Sequence, residues 1–389
     1  MKILIKNAKV ITPLVVLKNY SVSIENKKIK DIKKSGSFNE NNFDKIINVG
    51  NKYLSPGFID IHNHGNSGYD TMNSTFKAID SIAKFHLKNG VTGFLPTTMT
   101  ASYKKIKEAI KNVADFIEDK QNKNSQVLGL YVEGPYFSQI KKGAQPTKYI
   151  KNPDIEEVEK LIKISNGNIK VVALAPELPG SLETISYLKK RGITVSTGHT
   201  NATYSQTKVG IERGITQATH LYNGMREFSH REPGVLGAIL TDERVACEII
   251  CDRIHLHDAA IKIAVKMKNI NDIILISDAM MATGLKDGEY TLGSQKVIVK
   301  NGEARLSSGN LAGSTLTLNK AVYNMVHFVD IPLKDAVRMA TLNPARSLGV
   351  NKRKGSIEIG KDADLIIFDD NIDISIAMVN GKILYSKKK

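Results

Sequence analysis

The stretch FIDIHNH, residues 58 to 64, is a short apolar run that closes on two histidines one residue apart. Side chains alternate along a strand, so His62 and His64 should face the same way. The same pattern recurs along the chain as an apolar, β-rich run followed by a helical stretch. Its further members are GVTGFLPTTM (90 to 99), VLGLYVEGP (127 to 135), KVVALAPEL (170 to 178), ITVSTGHT (193 to 200), ITQATHLYN (215 to 223), ACEIICD (246 to 252) and DIILISDAM (272 to 280). Between them, segments such as FKAIDSIAKFHLKN and SYKKIKEAIKNVADFIEDK carry apolar residues at helical spacing. Near-continuous apolar strands alternating with helices indicate a parallel sheet covered by helices. Eight such units indicate an α/β fold of the closed (β/α)8 barrel type.

The flanks do not follow this pattern. Residues 1 to 52 and 353 to 389 read as short strands joined by polar turns, among them GSIEIGKDADLIIFDD and MVNGKILY. The two ends are expected to pair into one small β-sandwich domain, discontinuous in sequence. The catalytic barrel would then occupy residues 53 to 352. Residues 284 to 311 interrupt its eighth unit and read as a hairpin beside the site, and 317 to 329 and 332 to 346 return as helices.

In a barrel, chemistry gathers at the C-terminal ends of the strands. Those ends carry His62 and His64, Glu133, Glu177, His199, His220, Asp252 with His255 just beyond, and Asp278. A lone histidine is more often structural, but histidines and carboxylates placed together at strand ends 1, 3, 5, 6 and 8 form a constellation. Imidazole and carboxylate ligands suit Zn²⁺, Fe²⁺ or Mn²⁺, with one position left open for water. Such a cation lowers the water pKa from about 15.7 toward ~7. Asp278 could accept that water's proton and later deliver it to a leaving amine; its other reading is a helix N-cap. The reaction class that follows is metal-assisted hydrolysis of an amide or related bond. His86 and His327 sit within helical patterns and read as structural, while His230 and His257 have no comparable context.

Other classes are disfavoured. The chain of 389 residues carries 55 Lys and Arg against 39 Asp and Glu, a net +16. The lysines are scattered, without an aromatic-interleaved cluster, so nucleic acid is not the expected partner. An anionic small substrate would fit the charge. No apolar run approaches the ~18 residues of a membrane span, and the opening MKILIKNAKVITPLVVLKNY alternates like a strand. No membrane association and a cytoplasmic location are therefore expected. Cys247 and Cys251 read as core thiols, and the Gly-rich fingerprints of dinucleotide and nucleoside triphosphate sites are absent.

LSPGFIDIHNHG and GSIEIGKDADLIIFD resemble the amidohydrolase superfamily. YVEGPYFSQIKKGAQ, STGHTNATY, ATHLYNGMREFSHREPGVLG, ISDAM and GNLAGSTLTL are together similar to its N-acetylglucosamine-6-phosphate deacetylases, over nearly the whole chain. The resemblance implies hydrolysis of that sugar phosphate, or of an epimer such as N-acetylgalactosamine 6-phosphate, with Asp278 as catalytic acid and base. It implies Glu133, His199 and His220 as principal metal ligands. His62 and His64, which some members lack, make a second ion plausible, with Glu133 bridging. One or two divalent ions per subunit are expected, zinc first, with iron or manganese as alternatives. Substrate contacts would come from Ala144, Gln145, Asn223, Gly224, Arg231, Asp252, His255, Leu311, Ala312 and Gly313, with Arg231 meeting the 6-phosphate. Position 145 is Gln where many members carry His. A homodimer with each site near the interface is also implied. Relatives that bridge two metals with a modified lysine on the fourth strand are set apart, since VVALAPEL contains none.

Overall fold

The computed structural model describes residues 1–119 and 123–387. Lys120, at the end of the second expected helix, and residues 388 and 389 of the expected small domain lie outside the described residues.

All eight expected strands form, and all run parallel. The strands Phe58–Asn63 and Val91–Pro96 pair with each other. Leu130–Glu133, Ile169–Leu174, Thr194–Thr197, Ile215–Ala218, Ala246–Ile250 and Ile273–Ile276 pair in sequence order. The third strand is broken: Gln126–Val127 pairs with Val91–Pro96, and after Leu128 and Gly129 the chain resumes against Ile169–Leu174. Single parallel bridges, Thr97 to Tyr131 and Asn63 to Ala279, join the two groups on either side. The sheet is therefore strongly curled, and its first strand meets its eighth through Asp278 N–H donating to His62 O at 3.0 Å.

Each strand is followed by a helix, from Phe76–Lys88 after the first to Leu318–His327 after the eighth. The helix Phe76–Lys88 shows why the sequence folds this way. Ala78, Ile79, Ile82, Ala83, His86 and Leu87 recur at helical spacing and are all buried. Each large aliphatic side chain so buried contributes about 1.5–3 kcal/mol. Thr75 caps the helix by accepting from Ala78 N–H at 3.2 Å. Phe58, Phe94, Val132, Val171, Val195, Ile249 and Leu275 belong to the main core.

The flanking segments assemble into one eight-stranded sheet with its own smaller core, including Ile3, Val22, Ile24, Leu54, Leu365 and Ile367. Lys2–Ile11 pairs antiparallel with Val16–Glu25 and parallel with both Lys45–Asn48 and Tyr53–Pro56. Tyr53–Pro56, beyond the boundary expected at residue 52, also pairs with Leu365–Phe368, so it is the seam between the chain's two ends. The insertion at 284 to 311 is more than a hairpin: Gly288–Leu292, Gln295–Lys300 and Glu303–Leu306 form a three-stranded antiparallel sheet. Its Leu292, Val297, Val299 and Ala304 pack with Met99, Met280 and Ala312 in a third core cluster. The last expected helical stretch is two helices, Leu333–Met339 and Leu342–Ser347. Among the described residues, no helix is long and apolar enough to cross a membrane. Cys247 and Cys251 are buried and unpaired.

Candidate metal centre

Two buried triads lie at the C-terminal ends of the parallel strands: His62, His64 and Asp278, and Glu133, His199 and His220. They face each other across Glu133. Its Oε1 is 3.1 Å from His220 Nε2 and 3.3 Å from His199 Nε2, while its Oε2 is 3.2 Å from His64 Nε2. Asp278 Oδ1 lies 3.3 Å from His64 Nε2 and 3.6 Å from His62 Nε2.

The backbone is bent to achieve this. His199, His220 and Asp278 have φ of 45°, 30° and 47°, in the left-handed region. Each such residue costs on the order of 1–3 kcal/mol, and such strain clusters at functional sites. No helix begins at Asp278, which removes its reading as a cap. Gly224, at φ 61°, comes so close to His199 that a Cβ there would lie 2.7 Å from Nδ1.

The outward nitrogens of the four imidazoles are all engaged. His64 Nδ1 meets Thr97 O at 3.3 Å, His199 Nδ1 meets Lys141 O at 3.0 Å, and His220 Nδ1 meets Asn223 O at 3.1 Å. His62 Nδ1 meets a Glu248 carboxylate oxygen at 2.9 Å. Carbonyl and carboxylate oxygens only accept, so each imidazole carries a proton on Nδ1, and Nε2 is the nitrogen left to face inward and to ligate once it is unprotonated. The Nε2 atoms of His199 and His220 are 3.2 Å apart, and His62 Nε2 is buried without a hydrogen-bond partner. Nitrogens and carboxylate oxygens converging in this way form the donor set of a cation site. Imidazole nitrogens with carboxylate oxygens fit zinc, iron or manganese.

The electrostatics agree. Burial works against a charged His220, yet Glu133, Asp278 and Glu248 raise its pKa to about 9. Burial also opposes ionisation of Glu133 and Asp278, but the facing imidazoles hold both carboxyls below the usual range. A divalent cation would take the place of the protons these groups attract.

A cavity of about 350 Å³ opens over the triads. His64, Glu133, His199, His220 and Asp278 line it, together with Ala144, Gln145, Asn223, Gly224, His255, Leu311 and Gly313. Gln145 donates from Nε2 to Glu133 Oε2 at 2.9 Å and accepts from Thr100 N–H at 2.9 Å. His255 lines the wall with Nδ1 held by Asp252 Oδ2 at 2.6 Å, so Asp252 acts behind it. His62 and Ala312 are fully buried behind the lining. Arg231 is exposed and outside the lining. Glu177 also falls outside it, accepting from Thr200 Oγ1 and Asn201 N–H. Sequence reading missed Glu248, whose signal is a lone acid inside the apolar run ACEIICD. It also missed Arg305 and Asn310, which the three-stranded insertion and its following loop bring to the cavity.

Residues 53–384 match the model of a family described as the amidohydrolase family. The chain is 41% identical over 339 residues to an N-acetylglucosamine-6-phosphate deacetylase of Vibrio furnissii, covering 87% of this chain and 84% of that protein. It is 40% identical over 330 residues to an N-acetylgalactosamine-6-phosphate deacetylase of Escherichia coli O157:H7, covering 85% and 87%. Its fold is similar, at a TM-score of 0.93 and 29% identity, to a variant N-acetyl-D-glucosamine-6-phosphate deacetylase of Mycobacterium smegmatis solved in complex with N-acetyl-D-glucosamine-6-phosphate. That match covers 99% of this chain and all of the other.

Proposed function

We propose, from the premise that this chain belongs to the amidohydrolase family, that it hydrolyses N-acetyl-D-glucosamine 6-phosphate to D-glucosamine 6-phosphate and acetate. One observation carries the reading: two facing triads of candidate ligands, with Glu133 of one reaching His64 of the other, lie under a cavity sized for a small molecule. Glu133, His199 and His220 would hold one divalent cation, and His62, His64 and Asp278 a second, with Glu133 reaching both. A cation there supplies Lewis acidity toward the acetyl carbonyl and lowers the pKa of water.

The protein's own groups do the rest. Asp278, ionised at neutral pH, accepts a proton from the attacking water and passes it to the amine nitrogen as the C–N bond breaks. A new C–O bond forms, so acetate and the free amine leave. Gln145, locked between Glu133 and Thr100, offers its amide to the carbonyl side of the site. His255, fixed by Asp252, presents Nε2 to the sugar or its phosphate. Asn223 and Gly224 add donors beside it.

Arg231 is read as the phosphate ligand. It is exposed and outside the cavity lining of its own chain, and the homodimer with each site near the interface rests on the family resemblance. The curled sheet is read as a (β/α)8 barrel closed by the Asn63–Ala279 and Thr97–Tyr131 bridges. The eight-stranded sheet of the flanks is read as a small β-sandwich domain, and a sugar phosphate substrate suits a cytoplasmic enzyme.

The 40% identity to an N-acetylgalactosamine-6-phosphate deacetylase supports the epimer as a second reading. Acetate release from both 6-phosphates by zinc-loaded protein decides between them. A kcat/KM higher on the galactosamine epimer would overturn the first reading, and no turnover of either would overturn both.

A further inference from the structure

Glu248 sits in the middle of the strand Ala246–Ile250, between Cys247 and Ile249, and is fully buried. A carboxylate in such a place is costly unless its oxygens are satisfied, and here they are. Oε2 accepts from His62 Nδ1 at 2.9 Å and from His220 backbone N–H at 3.1 Å, and Oε1 accepts from Gln217 Nε2 at 2.6 Å. Of the four inward-facing imidazoles, His62 alone is oriented by a carboxylate, whereas peptide carbonyls hold the other three. Asp60 is the nearby buried acid to compare. It accepts from Ser277 Oγ, Ser277 N–H and His62 N–H, and none of its hydrogen bonds goes to an imidazole ring.

We infer that Glu248 is a positioning residue on which the second cation depends, acting through His62. This rests on the reading of His62, His64 and Asp278 as ligands. A carboxylate behind a ligating histidine fixes the proton on the far nitrogen and makes the near one a stronger donor; losing such a partner typically weakens metal binding 10–100-fold. His62 Nε2, buried and otherwise unpartnered, is the atom that benefits. The cation that Glu133, His199 and His220 would hold relies on carbonyl-oriented rings, and the one hydrogen bond from Glu248 to that set is with the His220 backbone N–H, a bond an amide oxygen can also accept.

Metal-free wild type, Glu248→Gln, His62→Ala and the double variant are titrated with Zn²⁺ by calorimetry, and their metal content is measured after gel filtration. Wild type should take up two equivalents. Glu248→Gln should keep the first and bind the second about 10–100-fold more weakly. The double variant should lose no more than His62→Ala alone, because both changes remove one interaction. Wild-type affinity for both ions in Glu248→Gln, additive losses in the double variant, or equal weakening of both ions with a fall in metal-free Tm would each overturn the inference. A wild type that binds one equivalent would instead defeat the ligand reading beneath it. Should the variants fail to fold, ¹⁵N spectra of zinc-loaded wild type carry the test: His62 must show its proton on Nδ1, and a proton on Nε2 refutes the proposal.

Discussion

Asp278→Asn removes a base and the carboxylate offered to the second cation, while leaving the main chain and the Glu133, His199 and His220 set in place. Asp278 occupies φ 47°, a conformation asparagine tolerates better than most residues, so the strained backbone survives the exchange. Its N–H to His62 O and its O to Ser314 N–H, at 3.0 and 2.7 Å, are main-chain bonds and remain. What disappears is the carboxylate 3.3 Å from His64 Nε2, held ionised by the imidazoles around it. A group in this role typically contributes ~10² to 10⁴ in rate, or about 2.7 to 5.4 kcal/mol at 1.36 kcal/mol per decade. Glu133, His199 and His220 are untouched, so the variant should still carry a cation. The assay is acetate release at saturating substrate, with elemental analysis of the same preparation. A metal-loaded variant that keeps more than about a tenth of wild-type kcat would refute the assignment of Asp278 as proton carrier.

His199→Ala or His220→Ala should lose the tight cation and activity together, whereas His62→Ala with His64→Ala should lower metal stoichiometry first; full metal content in the His199 variant would contradict the ligand set. Arg231→Ala should lower kcat/KM on the 6-phosphate by about one to two decades, the worth of a charge-assisted contact of roughly 1.5–3 kcal/mol, and leave slow turnover of unphosphorylated N-acetylglucosamine almost unchanged. An equal loss on both sugars would show a structural arginine. His86, buried in the helix Phe76–Lys88, has its pKa pushed down to about 3 by burial, against roughly 6.5 when unfolded. The unfolded chain therefore binds the extra proton first, and stability present above pH 6.5 is lost as pH falls. At pH 5 that loss is about 2 kcal/mol, so His86→Leu should flatten the decline of stability between pH 7 and 5 by that amount in urea melts.

The parallel strands were legible because a strand buried on both faces must be apolar along its length, and FIDIHNH or DIILISDAM can hardly be anything else. Their polar ends then stood out against that background. What escaped was set by tertiary reach. The split of the third strand at Leu128 and Gly129 follows from a change of pairing partner that no local pattern records. Tyr53–Pro56 reads as the approach to the first parallel strand, but it pairs with Lys2–Ile11 on one side and with Leu365–Phe368, a long way along the chain, on the other. Glu248 was hidden among the apolar neighbours that mark its strand; its meaning depends on which side of the sheet His62 occupies. Arg231, expected at the phosphate, lies outside the cavity lining, and Arg305, which sequence reading passed over, lies within it, because loop direction is fixed by packing rather than by composition.

The seam at Tyr53–Pro56 bears on the order of events at the ribosome. Its antiparallel partner Leu365–Phe368 is made about 300 residues later, so the flanking sheet is unfinished throughout synthesis of the parallel strands. Until then the strand presents open backbone donors and acceptors on that edge, an invitation to mispair with another nascent chain. The curled parallel sheet, whose successive strands are neighbours in sequence, can assemble as it emerges. The slow step in biogenesis should be the late docking of Leu365–Phe368 with the strands Ile374–Val379 and Lys382–Ser386, and crowding of unfinished chains should be felt there first.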